Sequence, residues 1–433
     1  MRIYYYTFGC KVNQYETENL KEKFALSGHS ETADPSVADV LIVNSCTVTA
    51  AADSKCRQFV RRLRKVCPDG IIVLCGCLPQ AAEKDAAAIE ECDILAGTAQ
   101  RSVLPELVEN YMRTGKRMIS IMPHEKGETF EKMTNHGGSK TRAYIKIQDG
   151  CDCFCTYCII PHARGHVRSK PLEDIVSEAA DLISAGHREL ILTGINLCFY
   201  GRDLEGKPTL TDAAQAVCAL QGDFRVRLGS IEPELMSDRD IERLAGTEKF
   251  CPHFHLSLQS GCSATLERMH RRYDGQQFER LCEKLRKAFP GCALTTDIMV
   301  GFPGETAKEF EESVSLVKRV GFSQAHIFPY SKRPGTPAAL MEGQVSEEEK
   351  RRRAGEMSRV CGESRKAYLD SLTGKVFTVL FERENSPLWH RGHAEDHTPV
   401  KVPRADPETS LFRCFRPVRI TGNDGKDAVG EFV

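Results

Sequence analysis

The sequence predicts an α/β protein in three parts: an N-terminal open α/β domain, a central partial (βα)6 barrel and a small C-terminal all-β barrel. Three observations predict it. Apolar runs of strand length alternate with helical periodicity through most of the chain. A polar stretch divides that region in two. From Gly374 onward the helical pattern gives way to short β-rich runs broken by Gly, Pro and Asp. The 433 residues leave room for several domains, and 41% hydrophobic with 27% charged residues excludes wholesale disorder.

In residues 1–122, Ile3–Phe8, Val40–Val43 and Ile71–Leu74 read as buried parallel strands, followed by the shorter Ile94–Ala96. Residues 123–141 have the composition of a linker. Residues 142–370 carry six strand candidates: Ala143–Ile147, Glu189–Thr193, Phe224–Leu228, His253–Leu258, Ala293–Val300 and Ala325–Pro329. Helical patterns separate them, including Leu172–Ala185, Ala264–Phe289 and Ala307–Val320, and the charged run Ser346–Arg353 opens a solvated helix. Residues 371–433 contain Val376–Phe381, Thr398–Val402 and Val418–Thr421, enough for a small β-barrel.

Lysine and arginine number 59 against 60 aspartates and glutamates, so a polycation is excluded, while nucleic-acid binding through a local patch is not. No apolar run approaches the ~18 residues of a membrane span. The opening MRIYYYTFGCKVN meets Lys11 before a signal-peptide core forms, so a cytoplasmic location without a membrane partner is expected.

The 19 cysteines stand out. A disulfide scaffold would be short and loop-rich, so metal thiolates and buried small hydrophobes are the remaining readings. Cys151, Cys155 and Cys158 stand at C-x3-C-x2-C in a Gly-flanked loop after the first barrel strand, with Cys153 inside the motif. Three thiolates in so tight a loop suit a cubane iron–sulfur cluster, and a zinc site would want a fourth ligand. Three ligands on a 4Fe-4S cluster leave one iron open for substrate. Cys10, Cys46 and Cys77 each follow one of the first three N-terminal strands. Ligands of open α/β sheets gather beyond the strand carboxyl ends, so these three are expected to converge on a second 4Fe-4S cluster. Cys75 and Cys92 read as core residues, and Cys56 and Cys67 are unassigned.

The C-x3-C-x2-C spacing resembles that of the radical S-adenosylmethionine (SAM) superfamily. The resemblance implies that the open iron chelates SAM, from which reduction yields a 5′-deoxyadenosyl radical. It also implies SAM contacts at Tyr157, between the last two cysteines, and at the strand ends: Thr193 and Gly194, Ser230 and Glu232, Gln259 and Ser260, Met299 and Gly301. A three-cysteine α/β domain, such a barrel and a small β-barrel, in that order, resemble the methylthiotransferases over essentially the whole chain. Asn13, Asn44-Ser45-Cys46 and Gly76-Cys77 match first-domain motifs of that family. The family's last domain is of the TRAM type and helps to bind RNA.

The resemblance implies a transferase with two 4Fe-4S clusters, in which one SAM methylates a cluster-held sulfur and a second supplies the radical. Lys11-Val12-Asn13 resembles the branch acting on carbon 2 of N6-threonylcarbamoyladenosine beside the tRNA anticodon. The branches acting on isopentenyladenosine and on a ribosomal-protein aspartate are the alternatives. A non-enzymatic iron–sulfur RNA-binding or redox-sensing protein is a rival of another class. The partners implied are a tRNA anticodon stem-loop, a low-potential donor such as flavodoxin or ferredoxin, and a sulfur donor of unknown identity. No general base is assigned, and Asp152 reads as a solvated loop carboxylate.

Candidate RNA contacts are the basic groups Arg61 and Arg64, Arg164 and Arg168, and Arg271 and Arg272. The segment from Gly374 holds nine basic and nine acidic residues, so any RNA role for it rests on the resemblance. His253 and His255 share a strand face and read as core or active-face polar groups. His390, His393 and His397 read as surface or RNA-contact residues.

Overall fold

The structure is a computed structural model and describes residues 1–135, 140–383, 386–406 and 408–433. Its N-terminal part is a six-stranded parallel sheet in which Arg2–Thr7, Val40–Ser45, Ile71–Gly76, Ile94–Ala96 and Met118–Ser120 lie side by side in that order. Ser30–Glu31 flanks Arg2–Thr7 on the other edge. The strands are continuous apolar runs because both faces are covered. Leu41, Val43, Ile72 and Leu74 pack with Val60 and Leu63 of the helix Ala50–Val66. On the other face Ile3, Val40, Ile42 and Val73 meet Leu20 and Phe24 of the helix Lys11–Leu26. Cys75 and Cys92 are core residues, as is Cys56. The two short edge strands, Ser30–Glu31 and Met118–Ser120, carry too few apolar residues to stand out in the sequence.

The central part has six parallel strands: Arg142–Lys146, Glu189–Thr193, Arg225–Leu228 continuing past Gly229 as Ser230–Ile231, His253–Gln259, Ala293–Val300 and Gln324–Pro329. Their period-two alternation separates two environments. Ile145, Leu190, Leu192, Val226, Leu228, Phe254, Leu256, Ile298 and Val300 turn outward into the layer shared with the helices. The alternate positions, among them Tyr144, Glu189, Arg227, His255 and Asp297, therefore face the lumen, which is charged rather than oily.

The pattern Ala264–Phe289 is two helices, Ser263–Arg268 and Gly275–Ala288. His270 takes a left-handed φ of 60°, and Asp274 with Gln277 forms a capping box that starts the second helix. The run Ser346–Arg353 does begin a helix, Glu347–Asp370, but Lys350 and Arg353 are buried. Arg353 reaches Glu305 at 2.7 Å, so one stripe of that charged run is internal.

The C-terminal part closes into a five-stranded barrel of Val376–Phe381, Trp389–His393, Pro399–Pro403, Ala428–Phe432 and Phe415–Asn423. It docks on the strand-start end of the central barrel. Arg225 donates to the carbonyls of Thr378 (3.2 Å) and His393 (3.1 Å), and Arg142 pairs with Glu382 at 2.7 Å. His393 and His397 stack at 4.6 Å and His397 meets His253 at 5.2 Å. His390 is buried as well. These histidines belong to internal packing and the seam between the barrels, which corrects their surface reading. Their partners come both from the neighbouring strand, as Phe381 and Glu382 do, and from distant segments, as Phe432 and His253 do.

The segment 123–135 is pinned rather than loose. The carbonyl of Met133 accepts from Lys170 (2.8 Å) and Tyr15 (3.1 Å), and that of Thr134 accepts from Asn19 (2.9 Å). Residues 136–139 of the expected linker lie outside the described residues.

Candidate active site

Cys10, Cys46 and Cys77 leave the ends of Arg2–Thr7, Val40–Ser45 and Ile71–Gly76, three adjacent strands of the sheet. The first two flank the point where the strand order reverses, the crevice in which such sheets take ligands. The structure brings the three thiols together. A Cβ added to Gly9 would lie 2.9 Å from the Cys46 Sγ, and Cys10, Cys46 and Cys77 perturb one another electrostatically. Asn13 ties the crevice by donating to the carbonyls of Phe8 and Ser45, each at 2.9 Å. Cys10 is the N-cap of Lys11–Leu26, but its thiol caps no backbone amide and instead donates to Asn13 Oδ1 at 3.9 Å. Burial raises the Cys46 thiol and pushes that of Cys77 up to about 12, against the pull of Arg164.

Gly76 holds Cys77 in place. Its φ is 95°, and a Cβ there would lie 2.4 Å from Asn44 Oδ1 and 2.6 Å from the Ser45 carbonyl. Gly76→Ala is expected to lose about 2 kcal/mol or more of stability through forced backbone strain. Thermal unfolding of the cluster-free protein checks this, and an unchanged transition would contradict it.

The loop of Cys151, Cys155 and Cys158 is clasped by the antiparallel pair Gln148–Asp149 and Arg168–Ser169, and Cys151 N–H donates to the Gly165 carbonyl at 3.0 Å. Cys153 is buried between its neighbours. Its thiol hydrogen-bonds to the sulfurs of Cys151 and Cys155, lowering both and bringing Cys155 to about 6, while it is itself held protonated. Its single S–H can serve only one of these neighbours at a time. Arg271 adds a contact to Cys155 Sγ at 3.5 Å, and Asn196 lies 3.9 Å from Cys151 Sγ. Burial pushes the Cys158 thiol up to about 12. Among the described residues no three His, Cys, Asp or Glu side chains gather closely enough to hold a single metal ion.

The segments that carry the two trios meet. The helix Cys77–Ala81 packs on Ile160–Arg164, which follows Cys158 directly. A cavity of about 190 Å³ joins Val48 and Thr49, just past Cys46, to Tyr157, Cys158, Gln259, Asp297 and Met299. Tyr157 leans edge-on to Phe302 at 6.4 Å. Thr193 is buried, and Gly194 approaches Gln148, which accepts from Asn196 N–H at 2.7 Å. Ser230 is exposed, and burial raises the Glu232 carboxyl to about 7 even though Arg271 pairs with it.

Two expected SAM contacts lie elsewhere. Ser260 is turned into the helix layer, where its hydroxyl meets Ser313 Oγ at 3.1 Å. The open side of Gly301 is filled by Lys350, so it is a side chain that the missing Cβ accommodates there.

Four expected RNA contacts are likewise corrected. Arg164 has no exposed surface; it binds Glu16, Asn13 Oδ1 (2.6 Å) and Cys77 Sγ (3.3 Å). Arg168 is buried against Glu128 and Asp149, and Arg271 is spent on Glu232 and Cys155. Arg64 folds back onto Asp93 and the carbonyls of Pro68, Gly70 and Glu91. Arg61 and Arg272 are exposed. Asp152 is half-exposed and pairs with His166 at 2.7 Å.

An unforeseen buried ion network joins the two domains. Glu16, with no exposed surface, meets Lys146 at 2.7 Å, Arg101 at 3.4 Å, and Arg164. Asp149 meets Lys146 at 2.5 Å and lies 3.5–3.6 Å from Arg164, Arg168 and Arg101. Glu131 pairs with Arg101 at 3.2 Å and Glu128 with Arg168 at 3.4 Å, so four carboxylates meet four cations, and Arg164 also contacts Cys77 Sγ at 3.3 Å.

Comparison with known proteins agrees with this arrangement. Residues 145–317 match the Radical SAM superfamily, and residues 2–97 match the Uncharacterized protein family UPF0004. The chain is 38% identical to the threonylcarbamoyladenosine tRNA methylthiotransferase MtaB of Bacillus subtilis, covering 88% of this chain and 84% of that one. The protein of that name from Thermotoga maritima is also 38% identical, over 87% and 85%. The tRNA-2-methylthio-N(6)-dimethylallyladenosine synthase of Carboxydothermus hydrogenoformans is 36% identical over 82% of each chain. Among solved structures, the radical SAM methyltransferase TsrM of Kitasatospora setae shares the fold with a TM-score of 0.58 at 14% identity, over 78% of this chain and 77% of that one. With its cysteine loop at the barrel mouth and relatives aligned over both domains, the chain belongs to the radical SAM methylthiotransferases, enzymes of tRNA modification.

Proposed function

We propose that this enzyme replaces the C2 hydrogen of N6-threonylcarbamoyladenosine, next to the tRNA anticodon, with a methylthio group. The observation that carries the reading is the meeting of the two cysteine-bearing segments: the helix that Cys77 opens packs on the helix that follows Cys158, and the cavity that reaches Cys158 begins just past Cys46. When bound, two 4Fe-4S clusters and SAM would supply the sulfur, the methyl group and the carbon-centred radical that an unactivated aromatic C–H demands.

The protein's residues bind, orient and exclude water. Arg164 and Arg271 offset thiolate charge at Cys77 and Cys155. Tyr157, Gln259 and Met299 line the cavity in which SAM and the base would meet, with Thr193, Gly194, Ser230 and Glu232 around it as the remaining cofactor contacts. The target base has to leave its stack to reach this depth. Of the six candidate cations, Arg61, which pairs with Glu91 at 3.2 Å, and Arg272 are the exposed ones available to RNA phosphates. Flavodoxin or ferredoxin is the electron donor of this reading, and the cytoplasm its setting. Supporting the choice of base are the relatives named for threonylcarbamoyladenosine and the Lys11 that follows Cys10.

Mass spectrometry of tRNA from a strain lacking the gene tests it. Loss of 2-methylthio-N6-threonylcarbamoyladenosine is expected. Loss of the isopentenyl counterpart alone, or an unaltered tRNA profile, would overturn the choice of base.

A further inference from the structure

The N-terminal domain is fastened to both ends of the row of barrel strands. The first and sixth strands are the edges of that row. At the first, Glu16 meets Lys146 of Arg142–Lys146 at 2.7 Å, within the ion network. At the sixth, the fastening lies in the segment that follows Gln324–Pro329. Ser331 Oγ accepts from the N–H of Ala50, which opens the helix Ala50–Val66, at 3.0 Å. Arg333 reaches Thr47 Oγ1 at 2.6 Å and Asp53 Oδ2 at 2.7 Å. Arg333, Thr47 and Asp53 are all buried, and Thr47 directly follows Cys46.

The same segment also holds the barrel's cysteine loop. Thr336 N–H donates to the Arg333 carbonyl at 3.2 Å and closes a turn through Pro334 and Gly335. Pro334 fixes its own φ and Gly335 takes a φ of 85°, so the turn has little freedom. Just past it, Ala338 N–H donates to the carbonyl of Thr156, which lies between Cys155 and Cys158, at 2.8 Å. One short stretch of chain therefore touches the residue after Cys46 and the interior of the other cysteine loop. Pro329, Tyr330 and Ser331, at its start, line the cavity that reaches from Val48 to Cys158. A domain tied at one edge could still swing about that tie, whereas ties at both edges fix its tilt.

We propose that Arg333 is a positioning residue that sets the separation of the two cysteine sites, acting through Thr47 and Asp53 on the segment of Cys46. The proposal rests on the two-cluster function given above and deepens it. Arg333 does not line the cavity itself. Its planar fork serves a hydroxyl and a carboxylate of the other domain at once, which the point charge of a lysine does less well. Delivery of sulfur to a base radical tolerates little misplacement, since an error of about 1 Å can cost on the order of a hundredfold in rate. A rigid strap between the sulfur-bearing site and the radical-forming site is the device such chemistry needs.

The test uses the double variant Arg333→Met with Asp53→Leu, which removes the tie without leaving a buried charge unpaired. Native and variant enzymes are reconstituted anaerobically and reduced, and the magnetic coupling between their clusters is read by pulsed electron paramagnetic resonance. The native enzyme is expected to show one narrow coupling, and the variant, at the same iron content, a broad spread of couplings. With an anticodon stem-loop RNA carrying N6-threonylcarbamoyladenosine, the variant should raise the ratio of 5′-deoxyadenosine to methylthio product about tenfold or more, because the radical forms while the sulfur is out of place. Arg333→Lys, which keeps a cation but not the fork, should fall between the two. A native coupling and a native product ratio in the double variant would overturn the inference and leave the proposed function standing. Loss of iron from the double variant would overturn it too, since Arg333 would then hold the Cys46 segment together rather than space it. If the native enzyme itself shows no coupling between clusters, the proposed function falls and the inference with it.

Discussion

Cys10→Ala is expected to lose about half of the iron bound after anaerobic reconstitution, and Cys151→Ala the other half. The two trios occupy different domains and share no ligand, so neither change unseats the other set. The consequences should differ. Without Cys10 the barrel site still binds SAM, and 5′-deoxyadenosine still forms under reduction, but no methylthio product appears. Without Cys151 both disappear. Iron and sulfide analysis, with chromatography of the nucleoside products, separates these outcomes. Complete iron loss from either single change would mean one shared cluster and would end the two-site reading.

Glu16→Ala is the second large effect. Glu16 is the N-terminal domain's carboxylate among Arg101, Lys146 and Arg164, and its removal leaves buried cations facing one another. Breaking one partner out of such a set costs about 3–5 kcal/mol. Two of those cations belong to the barrel, so the damage is expected at the domain seam, as a split of a single unfolding transition into two. The same residue sets an acid limit. Burial alone would raise its carboxyl, but Arg101, Arg164 and Lys146 outweigh burial and hold it at about 2, against an ordinary 4.5. A carboxyl lowered on folding stabilises fully above its unfolded value and loses that contribution as pH falls toward the folded one. The native protein should therefore weaken between pH 4.5 and 2, and Glu16→Gln should flatten that part of the curve. A variant with the stability and acid profile of the native chain would contradict the role given to this network.

The contrast between cysteines and arginines explains what was legible in the sequence. Cys10, Cys46 and Cys77 could be read as a set because strand ends in an open parallel sheet share one edge, so position along the chain translates into position in space. The loop of Cys151, Cys155 and Cys158 could be read because its spacing is local. Arg164 was misassigned because its acid, Glu16, lies in another domain, and a basic residue next to a predicted active face looks the same whether it faces solvent or a buried carboxylate. Ser260 and Gly301 sit in the right strand-end segments, but orientation within a turn depends on neighbours such as Ser313 and Lys350. The polar lumen was present as alternation in Arg142-Ala143-Tyr144-Ile145-Lys146 and Arg225-Val226-Arg227-Leu228. Its meaning emerges only once six strands are arranged around it.

The small C-terminal barrel has a mechanical consequence through where it docks. Glu382, His393 and His397 lie over the starts of the central strands, while the helix beginning at Lys11 stops the flank. The strand-start end of the central barrel is thereby covered by a folded domain, which leaves the strand ends that bear the sulfurs as the face for traffic. A radical formed there would have protein and not water at its back, so the domain that stands furthest from the chemistry helps to keep it private.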